Sequence, residues 1–101
     1  MDGYKRAGII GVAIKRDDGK VDSAGRDFYF LIPPNRHHNL IKHIYLSEKR
    51  DGPVTAEQGF VTNKLKFISR KDTYKLLISL SIKSIAPGGY RGIEAFSEDM
   101  W

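Results

Sequence analysis

The chain has 101 residues, 41% apolar and 29% charged, which is the balance of one soluble globular domain and not of a disordered chain. No apolar run approaches ~18 residues, which excludes a membrane-spanning helix, and the lack of cysteine excludes disulfides and thiolate metal sites. Lys plus Arg outnumber Asp plus Glu by 17 to 12, giving a net charge of +5 and a pI near 9.6, so an anionic partner is favoured.

The opening "MDGYKRAGIIGVAIKRDDG" has charges on both sides of a short apolar run and no small-residue cleavage site, which argues against a signal peptide. Within it, residues 6–15 ("RAGIIGVAIK") are rich in branched apolar side chains and read as a buried strand. Asp18-Gly19 supplies a hairpin turn, and residues 26–32 ("RDFYFLI") return as a second strand. Period-two alternation puts Phe28, Phe30 and Ile32 on one face, and Gly25 reads as a bulge in the return. Pro33-Pro34 stop the strand because proline has no N–H for a ladder. Asn35 then reads as the N-cap of a helix to about Ser47, with Leu40, Ile41 and Ile44 on its buried stripe and His37 and Glu48 at its ends.

"KRDGPVTAEQG" is a polar loop marked by Gly and Pro. "FVTNKLKFI" reads as a second hairpin turning at Asn63-Lys64, with Phe60 and Phe67 as anchors. Ser69 caps a second helix with Asp72 at its third position, as in a capping box. Tyr74, Leu77, Ile78 and Ile82 follow at helical spacing until "APGGYRG" breaks the helix. "IEAFSEDMW" ends the chain. The order ββαββα with a short tail makes residues 1–101 a single α+β domain built from two hairpins and two helices.

Three histidines stand in "PPNRHHNLIKHI". Adjacent His37 and His38 diverge by roughly 100° on a helix, and His43 is not at the i, i+4 spacing of zinc pairs. No metal site, no nucleophile elbow and no two-histidine phosphodiesterase motif is present, so no cofactor and no enzyme activity are expected. Two readings of this stretch stay open. In one, His37 is a satisfied residue at the rim of the core and His38 is a surface residue. In the other, Arg36 and the histidines open a helix whose unpaired N–H groups and positive dipole end favour a phosphate. "NKLKFISRKDTYK" alternates cations with apolar residues, either as an ordinary solvated face or as a phosphate-tracking face for nucleic acid.

"NRHHNLI", "EQGFVTNKLKFISRKD" and the terminal "FSEDMW" resemble, in that order, the first Thoeris anti-defence family of phage-encoded proteins. The likeness covers residues 34–72 and 93–101; "YKLLISLSIKSIAPGGY" departs from that family's Ala-rich helix and Gly-Gln. It implies a non-enzymatic sponge that holds a cyclic ADP-ribose isomer, acting in the host bacterial cytoplasm as a dimer or hexamer. Some members also hold cyclic oligonucleotides. Arg36, His37 and His38 match the helix opening, and Gln58, Gly59 and Phe60 match the hairpin, where Phe60 either stacks a base or packs in the core. Asn63 in the turn and Arg91, flanked by glycines just before the tail, complete the expected ligand set. Ser97, Glu98 and Asp99 match the acidic tail, whose charge suits holding a partner chain or orienting an arginine better than touching phosphate. An interrupted sheet and a terminal Phe96/Met100/Trp101 cluster also point to a homo-oligomer. The runner-up is a basic nucleic-acid-associated or anti-CRISPR-type protein, although nucleic acid fits less well.

Overall fold

The computed structural model describes residues 3–16, 19–48 and 56–101. Among them are a short helix α1 (Gly3–Arg6), strands β1 (Ile9–Lys15) and β2 (Phe28–Leu31), and helix α2 (His37–Glu48). Strands β3 (Gln58–Thr62) and β4 (Phe67–Ser69), helix α3 (Arg70–Ser79) and a 3-10 helix at Ser97–Asp99 follow. This is the expected α+β fold in ββαββα order, with α1 added ahead of the first strand. The two hairpins do not leave an interrupted sheet. β1 pairs with β3 as well as with β2, which gives one antiparallel sheet in the order β2-β1-β3-β4.

Alternation sorts the strands onto two faces. Ile9, Val12 and Ile14 of β1 and Phe60 of β3 point toward α2 and α3, where Leu40, Ile44 and Leu77 are fully buried against them. The opposite face carries Ala13, Phe28 and Val61, with Ile10, Phe30 and Phe67 packed around them. β2 and β4 lie at opposite sheet edges, roughly 14 Å apart at ordinary strand spacing. Even so, the rings of Phe28 and Phe67 approach to 6.1 Å. They lean inward over the small Ala13 and Val61, which become fully buried as a result. Phe28 and Phe30 share this face as alternation requires, but Ile32 lies past the end of β2 and is 59% exposed.

Several boundaries differ from the sequence expectation for identifiable reasons. Residues 6–8 close α1 and its following turn, with Ala7 donating to the Tyr4 carbonyl and Gly8 to that of Lys5, so β1 starts only at Ile9. Gly25 (φ 78°) is not a bulge. It sits in a turn before β2, where its N–H donates to the Asp22 carbonyl while the Asp22 carboxylate accepts from the backbone of Ala24 and Arg26. The sheet irregularity falls instead between Ile9 and Gly11. Asp18 of the expected first turn lies outside the described residues. Asn35 does not cap α2: its side chain donates back to the Ile32 carbonyl, and Arg36 is the last residue before the helix. The Arg36 carbonyl accepts from Asn39 and Leu40, while the Asn39 side chain accepts from the Arg36 N–H.

The β3–β4 turn is longer than a two-residue Asn63-Lys64 turn. Thr62 N–H bonds to the Lys66 carbonyl, and Leu65 takes the left-handed position at φ 57°. Ser69 caps α3, accepting from Asp72 N–H at 3.1 Å. That helix ends well before "APGGYRG". Ile82 donates to the Leu77 carbonyl and Ser81 to that of Ile78, a Schellman closure with Ser81 at φ 56° in the place glycine usually takes. Ile82 is therefore buried from outside the helix, and Ile78 is left 49% exposed.

The tail is part of the core. Met100 is 3% exposed, and the Trp101 ring sits 4.9 Å from Tyr4 and 6.2 Å from Phe60 while its Nε1 donates to the Asn35 carbonyl. Buried Asp99 accepts from Phe96 N–H (2.8 Å) and from the Ser84 hydroxyl, and its carbonyl accepts from Ile85 N–H. Phe96, Met100 and Trp101 thus do not form the unburied cluster on which an oligomer was expected to rest.

Candidate functional site

The folded tail lies between the start of α2 and the start of α3, and it draws arginines from three parts of the chain to one corner. Arg36, just ahead of α2, donates from Nη1 to Ser97 Oγ (3.4 Å) and from Nη2 to the Trp101 carbonyl. Its Nη1 also lies 3.9 Å from the Glu98 carboxylate. Ser97 and Glu98 thus meet an arginine, one of the two roles expected of the tail from sequence. Arg70 opens α3, and its Nη2 donates to the Gln58 side chain at 2.7 Å. The guanidinium carbon of Arg70 stands 4.6 Å from the centre of the Phe96 ring, and that of Arg91 stands 5.6 Å from the same ring.

Beside Arg70 opens a cleft of about 390 Å³ lined by Glu57, Gln58, Ser69, Arg70, Lys71 and Glu94. Ser69, Arg70 and Lys71 place the N-terminus of α3 on its wall, where backbone N–H groups and the helix dipole add positive potential. Burial pulls the Arg70 guanidinium below its ordinary value, and the nearby Glu94 and Glu98 carboxylates pull it back up. Arg70 Nε is buried and has no protein partner. The Gln58 bond fixes the orientation of this guanidinium, and the buried Nε is closed to an incoming ligand, which leaves the Nη groups to face one. A forked donor held in that way, beside an aromatic ring, suits a phosphate oxygen.

His37 has a structural position. It is 6% exposed, its Nε2 donates to the Gly59 carbonyl at 2.7 Å, and its ring meets Phe60 edge-on at 5.2 Å. Burial pushes its pKa down to about 4, partly offset by the Gly59 bond, so it is neutral at pH 7. Phe60 is fully buried and packs in the core. Gly59 must be glycine for a reason of its own. A Cβ there would meet the Ile68 carbonyl at 2.3 Å and the Phe67 ring at 2.7 Å.

Of the residues expected from sequence, the fold brings Arg36, Gln58 and Arg91 to the corner and places His37 directly behind it. His38 is exposed on α2. Asn63 is in the turn at the far end of β3, roughly 16 Å of strand away from Gln58, with its N–H bonded to the Gly8 carbonyl. Sequence reasoning missed Arg70 and Phe96. Arg70 lies within "NKLKFISRKDTYK", which read either as an ordinary solvated face or as a phosphate-tracking face for nucleic acid, and not as part of a small-ligand site. Its position directly after a capping serine was the available signal. Among the described residues no group of three or more His, Asp or Glu side chains is placed to hold a metal ion, and no helix is long and apolar enough to cross a membrane.

A family model described as "Phage T4 y16D protein" matches residues 8–101, nearly the whole chain. The chain belongs to the phage T4 y16D protein family. The match takes in β1, the "RHH" opening of α2, the Arg70 cleft and the folded tail, so every part of the corner lies within the y16D region. No curated protein and no solved structure gives a significant match.

Proposed function

We propose that this y16D-family protein binds and sequesters a cyclic ADP-ribose-type signal of bacterial immunity, without chemical turnover, in the host bacterial cytoplasm. The observation that carries this reading is the Arg70–Phe96–Arg91 arrangement, two guanidiniums against one aromatic ring, of which Arg70 also lines a cleft. A cyclic ADP-ribose contains a pyrophosphate, an adenine and two riboses. Arginines suit its pyrophosphate, an aromatic suits its base, and Gln58, Ser69 and Glu94 offer donors and acceptors for hydroxyls. The sequence likeness to the first Thoeris anti-defence family takes in Gln58, Ser69, Arg70, Glu94 and Phe96, with Arg91 just ahead of its tail segment.

At about 390 Å³ the cleft is near the lower end of small-molecule pockets and lies open along the surface. A second copy closing over it would complete the enclosure, which supports a homo-oligomer as the binding form. The test is to incubate the purified protein with cyclic ADP-ribose isomers, separate protein from free ligand, and release the bound fraction by heat. Intact ligand of unchanged mass supports sequestration, an opened ring produced in proportion to protein indicates a phosphodiesterase, and no retained ligand rejects the proposal.

A second reading rests on Lys64, Lys66, Lys71 and Lys75, all exposed along the β3–β4 turn and α3. This basic face suits a nucleic-acid-associated or anti-CRISPR-type protein. Binding to it would fall by orders of magnitude between low and moderate salt, whereas an enclosed ligand responds less.

A further inference from the structure

The corner that gathers three arginines also gathers carboxylates. Glu94 lines the cleft beside Arg70, and Glu98 stands 3.9 Å from Arg36 with about half of its side chain exposed. Neither is needed to hold the tail. That task falls to buried Asp99, whose two carboxylate oxygens both accept hydrogen bonds from the tail and from Ser84. The Arg36 fork is likewise anchored without Glu98, by the Trp101 carbonyl and Ser97 Oγ. At 3.9 Å the Glu98 pair is electrostatic contact without a hydrogen bond, and it is open to water. Its charge reaches further than Arg36, acting on Arg70 and on His37 as well.

We propose that Glu98 is a placeholder anion: it occupies the solvent side of Arg36 in the free protein and yields that place to a phosphate group of the ligand. The inference rests on the sequestration reading for the identity of the ligand, but its physics is independent of it. A carboxylate beside a guanidinium competes with any incoming anion, because the two like charges cannot share the site without repulsion. A lone phosphate gains only the contact that Glu98 gives up. A ligand that also engages Arg70 and the cleft gains enough to displace Glu98. The placeholder would thus lower affinity for every anion while leaving the free protein poorly responsive to common cellular phosphates. A purely structural Glu98 predicts the opposite sign: removing its charge would loosen Arg36 and weaken binding.

The experiment compares wild type with Glu98→Gln, which keeps size and hydrogen-bonding capacity but removes the charge. Calorimetric titration is carried out with two probes, inorganic pyrophosphate and a cyclic ADP-ribose isomer, and melting temperatures are recorded alongside. Glu98→Gln should bind pyrophosphate roughly three- to tenfold more tightly than wild type, with little change in melting temperature. The gain should vanish in an Arg36→Ala background. Equal or weaker pyrophosphate binding by Glu98→Gln, or no binding by either protein, overturns the placeholder. Failure of both proteins to bind the cyclic ligand while the pyrophosphate difference persists overturns the sequestration reading alone.

Discussion

His37 Nε2 lies 2.7 Å from the Gly59 carbonyl oxygen, and a carbonyl can only accept, so the neutral imidazole carries its proton on Nε2. The bond ties the first turn of α2 to the central strand β3. It also makes stability depend on pH. The unfolded imidazole protonates near 6.5, whereas burial holds the folded one neutral down to about 4. The contribution of a neutral His37 is therefore complete above about pH 6.5, falls as the pH drops through that window, and levels off below about 4. A shift of this size corresponds to a loss on the order of 3 kcal/mol across the window. Urea titrations at several pH values, for wild type and His37→Gln, should show the wild type losing that much more stability on acidification. Parallel pH profiles for the two proteins would mean that His37 is not buried as described.

Gly59→Ala should cost roughly 2–4 kcal/mol, because the new methyl would sit 2.3 Å from the Ile68 carbonyl and would also push on the Phe67 ring. Backbone-to-backbone pairing of β3 with β4 cannot yield without separating Gly59 from Ser69. Thermal melts should show a large drop, and a variant within a few degrees of wild type would refute the close approach.

Deleting residues 96–101 should unfold the chain rather than merely dissociate an oligomer. The deletion removes Met100 from the core and the Trp101 ring from its contacts with Tyr4 and Phe60. Loss of a Met alone from a core costs about 2–5 kcal/mol, a large share of the stability of a domain this size. Circular dichroism should show no cooperative melt. A truncated chain that still melts cooperatively would return the tail to the role expected from sequence, that of an intermolecular contact.

Local signals made most of the fold legible. Ser69 three residues before Asp72 marked the start of α3, Pro33-Pro34 marked the end of β2, and period-two alternation placed Phe28 and Phe30 together. What failed was long-range or unusual. The β1–β3 pairing joins segments more than forty residues apart in sequence, and nothing local announces it. The end of α3 uses Ser81 in a left-handed conformation, so the helix stops ahead of the glycines that would ordinarily mark its end. The candidate site was half legible for the same reason. Arg36, Gln58 and Arg91 carry suggestive neighbours, but Arg70 and Phe96 become a pair only when the tail folds back across the start of α3.

Arg36 and Arg70 should differ in what they contribute to the free protein. Arg36 joins α2 to the tail through Ser97 and the Trp101 carbonyl, so its truncation leaves acceptors without partners in the free protein. Arg36→Ala should lower stability by about 1–2 kcal/mol. Arg70 has one edge on Gln58 and a buried Nε with no protein partner, and burial weighs against its charge. Arg70→Ala should therefore cost little stability. It should weaken binding of a cyclic ADP-ribose-type ligand by about 2–4 kcal/mol, roughly thirty- to a thousand-fold. Arg70→Lys should restore only part of that, since an ammonium cannot both bond Gln58 and present a planar fork to phosphate. Calorimetry and melting curves on the three variants give the two readouts. If Arg70→Ala binds like wild type, or if it melts far lower than Arg36→Ala, the Arg70 cleft is a structural feature and the binding site lies elsewhere.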